Sequence, residues 1–329
     1  MSLLKKSEAY KPHKYPWAFE AYQKQQQMHW IPSEIPMHDD VLDFKTKLTE
    51  KEKNFLTSIF RFFTQADVDV AGGYFNLFIP KFKSIEVRMM LSSFCNMEAV
   101  HIDSYSMLMT ELGMPDSEFH QFLKYDAMRQ KHDYALNFNT DTPRDTLKTL
   151  AVYSAFTEGM QLFASFAMLL NFSRHNKMKG MSQIVTYSIR DETLHTNSMI
   201  ELFHEYARET GLYDSELKEE IKQIAIEMVQ LEDAFVDLAF DGGEMENLTA
   251  QEVKNYVRFV CDWRLEQLKI EPVFNITKHP LPWLPALLNG VEHSNFFEQR
   301  STEYSKGSTS GTWSDVWSDF DKPKKGDAL

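Results

Sequence analysis

Apolar residues return every three or four positions through most of this chain, the period of helices with one buried face. The first 47 residues are polar and punctuated by Pro12, Pro16, Pro32 and Pro36, and read as an extended or partly helical arm wrapped on something larger. Thr49-Glu50-Lys51-Glu52 then has the form of a capping box and opens an apolar run that ends before Pro80. Further helical patterns run from about Ile85 to Leu112, Ser117 to Tyr134 and Met181 to Thr210. Others run from Thr142 to Phe172, with Pro143 in the first turn, and from Asp214 to Phe240. A second capping box, Thr249-Ala250-Gln251-Glu252, opens the last, which reaches about Ile270. Strand signals are nearly absent, so the pattern predicts an all-α fold of long helices in one bundle. The expected organisation is an arm over 1–47, a helical domain over 48–300 and a flexible tail rich in Ser, Thr, Gly, Lys and Asp over 301–329.

Several helices carry ionisable residues where the apolar stripe should continue. The stripe Leu56, Phe60, Phe63, Asp67, Val70, Tyr74 has an aspartate at its centre. Val87, Leu91, Phe94, Glu98, His101, Tyr105, Leu108, Leu112 has three ionisable residues in succession. Glu158 falls between Ala155 and Leu162, and Glu192 with His195 between Ile189 and Met199. Isolated carboxylates in a core cost several kcal/mol each, so these must be paired or bound to a cation. No Arg or Lys on these stripes supplies the counter-charge; Arg190 is two residues from Glu192 and does not share its face.

The spacing narrows the choice. Asp67 precedes Glu98 by 31 residues and Glu158 precedes Glu192 by 34, and each of these glutamates is followed by His at i+3. Residues three apart share a helix face, so each Glu-x-x-His offers an oxygen and an imidazole nitrogen to one ion. Four carboxylates and two histidines from four helices can hold two divalent first-row metals, as in ferritin-like di-iron and di-manganese proteins. A third Glu-x-x-His, Glu201 to His204, lies nine residues further on and faces away from His195, and Asp69 is near the opposite face from Asp67. The donors fit iron or manganese better than zinc, and do not choose between the first two.

Composition adds exclusions. Lys plus Arg is 35 against Asp plus Glu 48, a net charge of −13, which argues against a general phosphate-backbone binder. Two cysteines, Cys95 and Cys261, support neither a disulfide framework nor a Cys-based zinc site. The first residues do not read as a secretory signal, and no apolar run has membrane-spanning length, so a cytoplasmic protein without membrane or direct nucleic-acid contact is expected.

With these residues in hand, the sequence resembles the small, radical-generating β subunit of class I ribonucleotide reductase, from about Trp30 to Tyr304. Glu98-x-x-His101-x-x-x-Tyr105 is similar to that family's ligand pair and radical tyrosine. Arg190-Asp191-Glu192-x-x-His195 is similar to its RDE-x-x-H signature, and Thr157-Glu158 with Phe163 to Phe166 to its third ligand segment. The resemblance implies a ferritin-like bundle and a dinuclear centre, Fe/Fe or Mn/Mn with a mixed Mn/Fe pair ranked behind. Its ligands would be Asp67, Glu98, His101, Glu158, Glu192 and His195. It further implies a homodimer and an oxidising equivalent, on Tyr105 or on the metals, sent to a separate large subunit that binds and reduces ribonucleotides to deoxyribonucleotides. The implied route runs from Tyr105 or the metals through His101, Asp191 and Trp30 to Tyr304 in the tail. Asp67 together with Tyr105 argues against the subclass with Glu and Phe at those places. Trp313, Trp317 and Phe320 fall at i, i+4, i+7, and are expected to dock on the large subunit as one face of a short helix. A ferritin-like ferroxidase or metal store and a di-iron oxidase or oxygenase are the competing readings; neither needs a Trp30 arm or a Tyr304 tail.

Overall fold

Thr49 Oγ1 accepts from the Glu52 amide while the Glu52 carboxylate accepts from the Thr49 amide at 2.8 Å. This capping box starts a long helix, and Thr142, Asp214 and Thr249 cap three other helix starts in the computed structural model, which describes residues 3–288. In chain order the α-helices are α1 (Pro16–Gln27), α2 (His38–Thr46), α3 (Glu50–Gly73), α4 (Ile85–Glu111), α5 (Asp126–Leu136) and α6 (Pro143–Ala151). They continue with α7 (Leu162–Arg174), α8 (Lys179–Thr210), α9 (Ser215–Ala239) and α10 (Ala250–Gln267). Among the described residues there is no strand, only one isolated bridge between Met245 and Leu248. Internal contacts divide the chain into Met1–Pro280 and Leu281–Leu329; these ten helices and a short helical turn, Ile79–Lys81, belong to the first unit, and residues 283–288 of the second are also helical. No helix among the described residues is long and apolar enough to cross a membrane.

Two helices widen where the sequence pattern reads as continuous. α3 passes into a π-helical turn, Tyr74–Phe78, and α6 runs into α7 through a longer one, Val152–Gln161. π turns place an extra residue in the turn and so change the direction of the side chains they carry. Gly159 marks the second. A Cβ there would lie 2.7 Å from Arg264 Nε and 2.8 Å from the Ser154 carbonyl oxygen, while Arg264 Nε donates to the Gly159 carbonyl at 2.9 Å.

Two expected boundaries shift for identifiable reasons. α8 begins at Lys179 with Gly180 inside its first turn, because Asp40 of α2 accepts from the Gly180 and Met181 amides at 2.7 and 2.8 Å. The predicted Ser117–Tyr134 helix is instead two 3₁₀ turns, Asp116–His120 and Phe122–Lys124, followed by α5. Arg61 of α3 draws that segment in, donating to Glu118 at 2.5 Å and to the Tyr125 hydroxyl at 2.7 Å.

The core that positions the site lies where α3 packs on α4 and α8 packs on α4, α7 and the Val152–Gln161 turn. The arm is largely helical: α1 lies along α4 and reaches α8, and α2 sits at the start of α8.

Candidate metal centre

Asp67 is on α3, Glu98 and His101 on α4, Glu158 on the wide Val152–Gln161 turn, and Glu192 and His195 on α8. All six are at most 2% exposed. Glu98 puts one oxygen 3.0 Å from His195 Nδ1 and the other 3.5 Å from His101 Nδ1. Glu192 does the same from the other side, 3.3 Å from His101 Nδ1 and 3.6 Å from His195 Nδ1. Each of these two carboxylates therefore spans both imidazoles. Glu158 joins them: one donor atom each from Glu98, Glu158, Glu192 and His195 lie within 4.8 Å of one another. Asp67 is close enough to feel the charges of His101, Glu98 and Glu192.

The unpaired atoms are the test of what fits here. Both oxygens of Glu98, both of Glu192, Asp67 Oδ2, Glu158 Oε2 and His195 Nδ1 are buried without a hydrogen-bond partner among the described residues. Buried polar atoms are normally satisfied, and so many together mark a place for a cation. Four carboxylates carry four negative charges when ionised, which two divalent ions would balance. Burial, with repulsion from Glu98 and Glu192, holds Asp67 well above the usual carboxylate range. Glu158 is raised in the same way by burial and by Glu192. Burial would lower His195, yet the close carboxylates of Glu192 and Glu98 bring it up to about 10. Protons shared like this are what metal binding displaces. The donors thus suit a dinuclear, carboxylate-bridged metal centre of imidazole and carboxylate ligands.

The sequence matches the family model described as ribonucleotide reductase, small chain, over residues 7–280. This chain belongs to the ribonucleotide reductase small-chain family. As a small chain it is 44% identical to a "probable ribonucleoside-diphosphate reductase small subunit" of Invertebrate iridescent virus 6, over 96% of this chain and 99% of that one. A ribonucleoside-diphosphate reductase subunit beta of Chlamydia pneumoniae is 30% identical over 89% of this chain and 88% of that one. In fold, the small chain is similar to the ribonucleotide reductase R2 subunit from Clostridium botulinum, with TM-score 0.80 and 22% identity, covering 86% of this chain and 91% of that one. The dimanganese(II) NrdF of Streptococcus sanguinis gives TM-score 0.72 at 19% identity, covering 82% and 94%.

In this small chain both site histidines turn Nδ1 toward the carboxylates and use Nε2 elsewhere. His101 Nε2 lies 3.3 Å from Asp191 Oδ2, and His195 Nε2 lies 3.1 Å from Gln25 Oε1. Carbonyl and carboxylate acceptors at Nε2 call for the Nε2–H tautomer, which leaves the Nδ1 lone pair for a metal. Trp30, 2% exposed, donates its indole N–H to the same Asp191 oxygen at 2.7 Å. Gln25 Nε2 donates to Asp191 Oδ1 at 3.2 Å. Burial would raise Asp191, but its bonds to His101 and Trp30 and the nearby Arg190 charge hold it below the usual carboxylate range. Gln25 was not among the sequence candidates, although its one amide joins His195 to Asp191.

Tyr105 is 3% exposed and stacks flat on Phe63, centroids 4.3 Å apart, with Phe166 beyond. Its hydroxyl faces Asp67 and Ser188, and burial pushes it well above the usual phenol range. His204 is elsewhere, with Nε2 on the Gln267 carbonyl at 2.7 Å, and Asp69 pairs with His132 at 2.6 Å. Arg190 reaches the Met28 carbonyl and lies 3.8 Å from Asp191 Oδ1. Tyr304, Trp313, Trp317 and Phe320 lie outside the described residues.

Proposed function

We propose that this chain acts as the radical-generating small subunit of a ribonucleoside-diphosphate reductase. The observation that carries the reading is Glu98 and Glu192 each spanning His101 and His195, with His101 joined through Asp191 to a buried Trp30. Asp67, Glu98, His101, Glu158, Glu192 and His195 would hold the metal pair. When bound, that pair supplies one-electron oxidising power drawn from an oxygen species.

The residues divide the remaining work. Glu98 and Glu192 fix the spacing of the two positions, and the Nε2 partners of both histidines fix their ring orientation and raise their basicity. Tyr105 stores the oxidising equivalent as a neutral phenoxyl, sheltered from water by Phe63 and Phe166. Trp30 passes electrons, and Asp191, already hydrogen-bonded to the indole N–H, holds that proton as the electron leaves. Tyr304 in the 301–329 tail then carries the exchange to a large subunit, which binds the nucleotide and reduces it. The small chain works as a homodimer.

Iron and manganese pairs both suit these donors. The test loads the protein with either metal, activates it, and measures deoxyribonucleotide formation with a large subunit beside elemental analysis and electron paramagnetic resonance. Two metals per chain and partner-dependent turnover are expected. Turnover without any bound metal would overturn the proposal.

A further inference from the structure

A second buried tyrosine borders the same carboxylates. Tyr105 lies on the Asp67 and His101 side. Tyr74 lies on the Glu158 and His195 side, carried by the π turn that ends α3. It is 1% exposed, and its hydroxyl faces the Glu158 carboxylate. Its ring meets the His195 imidazole edge-on, centroids 6.2 Å apart, with Phe94 at 6.3 Å and Phe78 at 6.1 Å completing an aromatic cage. Glu158 is the acceptor that this hydroxyl meets, so the phenol bears directly on a candidate ligand carboxylate. A phenylalanine would fill the same aromatic cage, so what the tyrosine adds is a phenol oxygen beside the Glu158 carboxylate.

We propose that Tyr74 is a second redox-active tyrosine of this site, giving one electron and one proton toward the Glu158 side. The inference rests on the metal-radical reading above. In the step, the Tyr74 O–H bond breaks and the proton passes to the Glu158 carboxylate, forming a carboxylic O–H bond. The electron would be taken up by the metal pair once an oxygen species had oxidised it, and Tyr74 is left as a neutral phenoxyl. No further oxidant is needed.

Position sets the consequence. The Tyr74 hydroxyl is outside the hydrogen-bonded chain of Asp191 and Trp30 that leads away from the metals. An equivalent held on Tyr74 is therefore withdrawn from turnover, and Tyr74 competes with Tyr105 as a sink. Its radical becomes visible when Tyr105 is removed.

The experiment uses the full chain loaded with ferrous iron and activated in air. Electron paramagnetic resonance should show a tyrosyl radical in Tyr105→Phe that is lost in Tyr105→Phe/Tyr74→Phe, with iron content by elemental analysis the same in both. Should the double variant fold poorly, 3,5-difluorotyrosine placed at position 74 of Tyr105→Phe gives a second readout, and fluorine hyperfine splitting should appear. Iron-loaded Tyr105→Phe without an organic radical, or with one unchanged by Tyr74→Phe or fluorination, overturns the role of Tyr74. Failure of the parent protein to bind iron or manganese instead overturns the metal reading itself.

Discussion

The indole N–H of Trp30 lies 2.7 Å from Asp191 Oδ2, and both side chains are buried. This bond ties the arm to the helix that carries Glu192 and His195. Trp30→Phe keeps an aromatic ring and removes the N–H. The variant should load metal normally and form its radical, yet lose turnover with the large subunit. Normal turnover would take Trp30 out of the route.

Tyr105→Phe should leave metal content unchanged, since it keeps the ring stacked on Phe63 and alters none of the six candidate carboxylate and imidazole donors, and should abolish nucleotide reduction. Retained activity would mean that the metals, not the phenol, store the equivalent. The decisive measurement is turnover beside metal content in the same preparation.

The ligand assignment separates two helical positions on α8. Glu192→Ala should lower metal affinity by more than about 100-fold, beyond the roughly 10–100-fold of outer-shell losses. His204→Ala should leave affinity unchanged, because His204 is engaged with the Gln267 carbonyl. Gln25→Leu, which removes the bond to His195, should fall in the roughly 10–100-fold range. Metal titration followed by elemental analysis checks all three, and equal losses at Glu192 and His204 would show the wrong face had been chosen.

These candidate positions stand out in the sequence because a carboxylate on an apolar stripe contradicts the helix period, and a histidine three residues later repeats the contradiction. Tyr74 continues the Asp67 stripe as an aromatic core position, and nothing in the sequence marks it as more than that. Gln25 left no such mark. It sits in Gln23-Lys24-Gln25-Gln26-Gln27 of a polar arm, and only tertiary packing decides which of these amides turns inward. The π turns were also hidden, since one extra residue in a turn does not erase an apolar run. An interior glycine such as Gly159, disfavoured in a helix by about 1 kcal/mol against alanine, was the available hint. The 3₁₀ turns before α5 follow from Arg61, whose partners are more than fifty residues away.

A buried ion pair outside the site offers a stability test. Lys131 of α5 meets Glu232 of α9 at 2.5 Å, with Nζ 3.7 Å from the centre of the Phe62 ring. Removing one partner, as in Lys131→Met or Glu232→Leu, should destabilise the fold by about 3–5 kcal/mol, because the other charge is left buried alone. The double variant should recover most of that loss. Denaturant unfolding of the four proteins measures it, and additive losses would reject the coupling.

A chain truncated after Ser310 should bind the large subunit more weakly than the full chain, since it lacks Trp313, Trp317 and Phe320. Equal affinities would reject those aromatics as the docking face.

Gln25 has one more consequence. Through a single amide, α1 is bonded both to Asp191 and to His195, a candidate ligand. Emptying the centre should therefore loosen the outermost helix of the arm. Amide exchange or limited proteolysis across Pro16–Gln27 then becomes an external gauge of occupancy, readable before any radical has formed and without the large subunit present.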